Sequence, residues 1–161
     1  MAKEFSHIDT SGNPSMVDVG TKEVTARSAT AHCIVTLPQE VMAQMQNDEM
    51  HTKKGPVFQT AIIAGVMAAK RTSELIPLCH PLNLEDCQVS IRPLPGNKVE
   101  VRCTAKLYGK TGVEMEALTG TSIAALTIYD MCKAFSHEII ISDLCLISKT
   151  GGKHEFNRES S

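Results

Sequence analysis

Residues 110–133 read KTGVEMEALTGTSIAALTIYDMCK, and this stretch decides the fold. A turn carrying Gly109 and Gly112 leads into Val-Glu-Met-Glu, then a run rich in Ala, Leu and Ile, then Tyr-Asp-Met-Cys-Lys. No charged residue stands between Ala117 and Tyr129, so the pattern predicts a helix buried over most of its circumference. Charge is confined to the two ends, with Glu114 and Glu116 at the entrance and Asp130 and Lys133 at the exit. Charged groups rarely go inside unpaired, so charges flanking an apolar rod predict chemistry at both tips. Asp130 and Lys133, three apart, share one helix face. Glu116 and Asp130 are fourteen apart, which a continuous helix turns into roughly 21 Å. If both serve one site, a second subunit or a bend before Thr119 has to bring them together. The spacing therefore predicts an oligomer with sites at its interfaces.

Working outward, Lys98–Tyr108 alternates, with Val99, Val101, Cys103, Ala105 and Leu107 on one side, and reads as a strand. Leu84–Leu94 alternates through Cys87, Val89 and Ile91, and Pro95-Gly96-Asn97 joins the two as a hairpin. After the rod, Glu138–Ser148 (EIIISDLCLIS) predicts a last strand. Before the hairpin, AHCIVTL at 31–37 has strand content. Pro38 suits the first turn of a helix over Gln39–Gln46, and the polar stretch Asn47–Gly55 breaks it. A second helix over Pro56–Thr72 carries the small residues Ala61, Ala64, Gly65, Ala68 and Ala69, which permit close approach of a sheet or another helix. Leu75–Pro81 (LIPLCHP) is too proline-bound to be helical. The order β-α-α-β-β-α-β contains a split β-α-β, so the fold class is α+β: an antiparallel sheet with helices packed on one face. The organisation expected is one domain over 1–161, with an extended N-terminal arm over 1–30 and a flexible tail over 150–161.

Composition excludes several classes. At 161 residues, 42% apolar and 21% charged, the chain is ordinary for a globular protein. No apolar run approaches the roughly 20 residues of a membrane span, and the polar start MAKEFSHID lacks a signal-peptide core. The six cysteines form no CxxC and stand among apolar neighbours, as buried thiols of a cytoplasmic protein do. A net charge of −2 and the absence of Trp, with two Tyr and four Phe, argue against nucleic acid as partner.

The short motifs are ambiguous one by one. Gly109-Lys110-Thr111 invites a P-loop reading, but position 104 is Thr where that loop needs Gly. Lys-Thr-Gly occurs at 110–112 and again at 149–151, without the Ser-x-x-Lys of a serine β-lactamase. Cys79-His80 with Cys87 falls short of the four paired ligands of structural zinc. His80 is either a substrate contact on a proline-fixed loop or a satisfied core histidine. Lys22 and Arg27 read as solvated charge, and Lys70 as a cation at a helix C-terminus. Asp130 with Lys133 is either a surface pair worth about 0.2–0.5 kcal/mol or an acid–base couple with Lys133 lowered toward neutrality. Lys54, in a Lys-Lys-Gly loop, is a second acid–base group or a phosphate contact.

Taken together, LIPLCHPL at 75–82, KTGVEMEALT at 110–119 and ALTIYDMCKA at 125–134 are similar to the cyclic pyranopterin monophosphate synthase (MoaC) family. AAKRT at 68–72, KKGPVF at 53–58, MVDV at 16–19 and SKTGGK at 148–153 agree with it. The resemblance implies conversion of 3′,8-cyclo-7,8-dihydroguanosine 5′-triphosphate to cyclic pyranopterin monophosphate, with release of pyrophosphate, in molybdenum cofactor biosynthesis. It implies acid–base chemistry on a small nucleotide, with no cofactor and no metal. Asp130, Lys133 and Lys54 then take catalytic roles. Leu78, Cys79, His80, Met115 and Glu116 bind substrate, and Lys22, Arg27, Lys70 and Lys149 line its triphosphate end. A ferredoxin-like fold is also implied, with a homohexamer, a trimer of dimers, carrying active sites at its dimer interfaces.

Overall fold

The computed structural model describes residues 7–158; residues 1–6 of the expected arm and 159–161 of the expected tail lie outside them. Four long strands form the body of the sheet: β1 (Thr25–Thr36), β5 (Asp86–Leu94), β6 (Lys98–Gly109) and β7 (Ile140–Thr150). Their order is β5-β6-β1-β7 and every neighbouring pair is antiparallel. Helices α2 (Val57–Ala69) and α4 (Glu114–Cys132) supply the two crossovers. This is the split β-α-β arrangement of the ferredoxin-like fold, so the α+β architecture holds.

Alternation along the strands explains which face is covered. Ala29, Ala31, Cys33 and Val35 of β1, and Val99, Val101, Cys103, Ala105 and Leu107 of β6, are all buried, because side chains two apart share a face. Cys33, Val35, Val99, Val101 and Cys103 meet Ala61, Ala124, Ala125 and Ile128 of the helices in the larger core. A smaller cluster of Ala29, Ala31, Ala105, Leu107, Val113 and Ala117 seats the first turn of α4 on the sheet. The opposite sheet face is polar. There Thr30 bonds its cross-strand partner Thr104, and Glu100 accepts from His32, Arg92 and Arg102.

Helix α4 is one unbroken element of 19 residues, and within it only Leu126 and Asp130 are exposed, each by about half. Its buried circumference is thus as the sequence predicts. The small-residue stripe of α2 has its predicted use too. A Cβ on Gly65 would lie 2.8 Å from the carbonyl oxygen of Gly120, and one on Gly120 would lie 3.1 Å from that of Gly65. The two helices cross backbone to backbone.

Elsewhere the sequence reading needs correction. Strand β1 begins at Thr25 rather than Ala31, so the last residues of the expected arm belong to the sheet. The helix expected over Gln39–Gln46 stops as α1 (Gln39–Met42), and Met45–Gln46 is β2, paired with β3 (Glu49–Thr52). Asn47 and Asp48 between them both have positive φ, 51° and 58°, the geometry of a two-residue hairpin that Asn and Asp tolerate best. A further bridge joins β3 to β4 (Gly55–Pro56). The stretch read as a break is thus a small ribbon with Lys53 and Lys54 at its tip. The second helix ends at Ala69, and a separate short turn, α3 (Thr72–Leu75), follows. In the tail, β8 (Phe156–Asn157) adds an edge strand against β7.

Replacing Gly65 by Ala adds about 1 kcal/mol of helix propensity but forces a methyl group into the Gly120 carbonyl, where overpacking costs about 1–3 kcal/mol. The variant should therefore unfold at lower urea concentration than the parent. An unchanged or raised midpoint would show that the helices have room to spare.

Candidate active site at the two ends of helix α4

The N-terminal end of α4 opens on a cavity of about 280 Å³. Leu78, Cys79 and His80 line one wall, and Thr111, Gly112, Glu114, Met115 and Glu116 line another. Proline on both sides keeps 78–80 out of helix, and the turn at Gly109–Gly112 aims the first turn of α4 at the same space. Glu116 is only 4% exposed. Burial raises its carboxyl pKa to about 7; its own backbone N–H opposes the shift and the neighbouring charge of Glu114 adds to it. A carboxyl poised there can give or take a proton at neutral pH. Cys79 is raised as well, by burial and by Glu116, which makes it a poor nucleophile.

The surrounding groups hold this end together. His80 Nε2 lies 2.8 Å from the Val17 carbonyl; a carbonyl only accepts, so Nε2–H donates and Nδ1 is left to act as acceptor when the ring is neutral. The MVDV segment is thereby tied to the cavity, and Lys110 Nζ reinforces it by donating to Gly20 O at 2.7 Å. Lys149 pairs with Glu114 at 2.8 Å. Arg27 Nε donates to Gly109 O at 3.3 Å. The two Lys-Thr-Gly echoes now have a spatial meaning. Strand β1 lies between β6 and β7, so the end of β6 and the end of β7 flank Arg27. Gly151 passes so close to the Ala26 carbonyl that no Cβ fits there.

The C-terminal end of α4 carries the second cluster. Asp130 Oδ1 accepts from Lys133 Nζ and Oδ2 from Lys54 Nζ, both at 2.8 Å, with all three side chains about half exposed. Those hydrogen bonds, Lys133 first and Lys54 second, hold Asp130 down at about 2. The same bond from Asp130 raises Lys133. Of the two readings the sequence left open, this disfavours a Lys133 lowered toward neutrality: an exposed ammonium beside a carboxylate gains more from the pair than it loses by desolvation. Lys54 reaches Asp130 because Glu49 clamps its ribbon. The Glu49 carboxylate accepts from the backbone N–H groups of Met50, Phe58 and Gln59 at 2.7, 2.8 and 3.1 Å. It thus caps α2, whose own N-cap, Pro56, offers no side-chain bond.

The predicted residues therefore fall into groups. Leu78, Cys79, His80, Met115 and Glu116 come together at the cavity, with Arg27 and Lys149 bound to its surroundings; Lys54, Asp130 and Lys133 come together at the far end. Lys70 lies apart, exposed in the wall of a separate cavity, and Lys22 is exposed on the arm. Cys87 sits in Lys70's cavity and not beside His80, and no set of three His, Cys, Asp or Glu placed to hold a metal occurs among the described residues. Glu49 was not singled out by sequence, and Glu114, Thr111 and Lys110 were noted there without being given a place among the site residues. Glu114 had a signal, standing two residues before Glu116 on the same first turn; Glu49 had none, because its partners are main-chain groups, two of them nine and ten residues on.

The described helices include none long and apolar enough to cross a membrane. A sequence model of the MoaC family matches residues 16–152. The chain is 52% identical over 151 residues to the cyclic pyranopterin monophosphate synthase of Xanthomonas axonopodis pv. citri (strain 306), covering 94% of this chain and 92% of that protein. It is 51% identical, with the same coverage, to the protein of that name from Xanthomonas oryzae pv. oryzae (strain MAFF 311018). It is also 48% identical to molybdenum cofactor biosynthesis protein 1 of Dictyostelium discoideum, over 93% of this chain and 26% of that longer protein.

The raised carboxyl has a consequence for stability. Folded Glu116 holds its proton up to about 7, against an ordinary 4.5, so the native state binds the extra proton and stability falls as pH rises through that window. Glu116→Gln should flatten the profile. It should also be more stable than the parent at pH 8, by on the order of 3–4 kcal/mol at ~1.4 kcal/mol per pKa unit. Urea unfolding at pH 5 and pH 8 checks this; parallel profiles for the two proteins would contradict it.

Proposed function

The chain belongs to the MoaC family, and from that membership we propose that it rearranges 3′,8-cyclo-7,8-dihydroguanosine 5′-triphosphate to cyclic pyranopterin monophosphate, releasing pyrophosphate. The observation that carries the reading is the composition of the two ends of α4. One end offers a cavity with a buried carboxyl whose pKa is raised to about 7, with Lys149 paired to Glu114 in its wall and Arg27 held at Gly109 beside it; the other offers two lysines on one carboxylate. The reaction breaks and re-forms bonds in a purine-derived ring system and closes a cyclic phosphate without net redox change. It calls for proton donors, proton acceptors and anion contacts, and the two ends supply these types.

In this proposal Arg27 and Lys149, with Lys22 and Lys70, bind the triphosphate. Leu78, Cys79, His80 and Met115 orient the ring system, and Glu116 exchanges a proton with it. Lys133, kept protonated by Asp130, enters as a proton donor; Lys54 on the other oxygen of Asp130 is its counterpart. Because α4 runs unbroken from Glu114 to Cys132, a break before Thr119 is not the means of joining the ends. We assign that role to a second subunit, in a cytoplasmic homohexamer built as a trimer of dimers. Ile63 and Met67 on α2 and Leu126 on α4, 61%, 48% and 53% exposed, support an assembly that covers the helix layer.

General acid–base steps contribute about 10²–10⁴-fold each, so Lys133→Ala should lower kcat by that order while light scattering reports an unchanged assembly. Near-normal turnover in that variant would remove Lys133 from the chemistry.

A further inference from the structure

Cys87 and Cys103 are the one pair of cysteines among the described residues whose sulfurs stand within hydrogen-bond reach, 3.9 Å apart. The proposed reaction uses neither. On the β5–β6 hairpin Cys87 faces Ala105 and Cys103 faces Val89, which makes the two cysteines diagonal neighbours on the helix-covered side. Both are free thiols, and they differ in access. Cys103 is fully buried, whereas Cys87 is half-buried and lines a cavity of about 400 Å³ together with Val66, Lys70, Leu82 and Asp86. A small polar reagent entering that cavity meets one sulfur of the pair and not the other.

The pair is also polarised. The hydrogen bond from Cys103 lowers the Cys87 thiol, helped by the charge of Lys70 and opposed by burial and Asp86. Cys103 is pushed up by the same bond and by burial. Thiolate is the reactive form, so Cys87 is the thiol set to react and Cys103 the one set to keep its proton until a partner sulfur needs it. The remaining cysteines lack this arrangement: Cys33 and Cys132 are buried, with burial pushing them up to about 12 and about 11.

We infer that Cys87 and Cys103 form a reversible oxidation site for hydroperoxides, closing to a disulfide that slows turnover. The Cys87 thiolate attacks the O–O bond of hydrogen peroxide, giving a sulfenic acid at Cys87 and releasing hydroxide, which takes up a proton to become water. Cys103 sulfur then attacks the sulfenic sulfur; its S–H proton and the S–O bond are lost together as a second water. Two thiols lose two electrons and two protons, and one peroxide becomes two waters. Diagonal partners in a regular ladder stand roughly 7–8 Å apart at Cα, beyond the usual disulfide span of about 4.4–6.8 Å. The bond is therefore strained, and strained disulfides are the readily reduced ones.

Coupling to turnover follows from where the two sulfurs sit, and this half of the inference rests on the function proposed above. Cys103 Sγ is nested against α4 so tightly that a Cβ on Gly120 would lie 2.7 Å from it. Drawing that sulfur toward Cys87 unseats the middle of the helix whose ends carry both clusters. Lys70 shares the cavity wall with Cys87.

The test is peroxide treatment of the full-length assembled protein, followed by alkylation and peptide mapping without reduction. A Cys87–Cys103 cross-linked peptide is expected, lost on adding dithiothreitol, with turnover falling several-fold and returning with reduction. Cys87→Ser should form no cross-link and keep its turnover under peroxide. Cys103→Ala should instead accumulate a dimedone-reactive sulfenic acid at Cys87. Oxidation that spares Cys87 while modifying Cys79 or Cys145 would overturn the site. A cross-link formed with turnover unchanged would overturn its coupling to the reaction. Absence of turnover before any oxidant is added would instead count against the proposed function, while the peptide map would still decide the thiol chemistry.

Discussion

The main-chain contact between Gly65 and Gly120 is the constraint on which the rest of the structure depends. With only hydrogens between the two backbones, α2 and α4 lie close enough to cover one face of the sheet with small side chains, and α4 is held as one unbroken rod. The larger core grips its second half through Ala124, Ala125 and Ile128, and the smaller cluster grips its first turn through Val113 and Ala117. A helix so held cannot flex to bring its ends together. Its tips are fixed in position and in distance, roughly 1.5 Å for every residue between them.

Each tip then takes its character from its surroundings. At the N-terminal tip the chain removes Glu116 from water and pairs it with no cation among the described residues, although Lys149 is close enough to pair with Glu114; the result is a carboxyl that holds its proton up to about pH 7. At the C-terminal tip Asp130 stays in solvent between two ammonium groups and remains ionised down to low pH. One helix thus presents two carboxyls whose pKa values are pushed apart, to about 7 and about 2, and pairs of titratable groups separated in this way are how proteins divide acid and base roles.

Much of this was legible in the residues. The uncharged run Ala117–Tyr129 announced a buried helix, the alternation at 98–108 announced a strand, and the small residues of α2 announced a close crossing. The ribbon at 45–56 was not legible by periodicity, because Met42 and Met45 also fit a helical spacing; the signal lay in Asn47-Asp48, two residues that accept positive φ. At the candidate site the residue types could be read, but their company could not. Nothing local says that Glu49 caps a helix nine residues on, or that Arg27 lies between the two Lys-Thr-Gly segments, since both follow from strand order. The direction of the Lys133 shift stayed open for a related reason: only the folded chain shows that the lysine is left in water beside its carboxylate.

The account's central claim is that one complete site draws its two halves from different chains. Complementation tests it most directly. Glu116→Ala and Lys133→Ala variants, each inactive alone, are unfolded together and refolded as mixed assemblies, and turnover is measured. If the halves are shared across a two-fold interface, a mixed pair of subunits contains one intact site and one doubly altered site. Random mixing should then restore about one site in four. If mixed assemblies form and turnover stays at the level of the separate variants, each chain builds its site alone and the claim is contradicted.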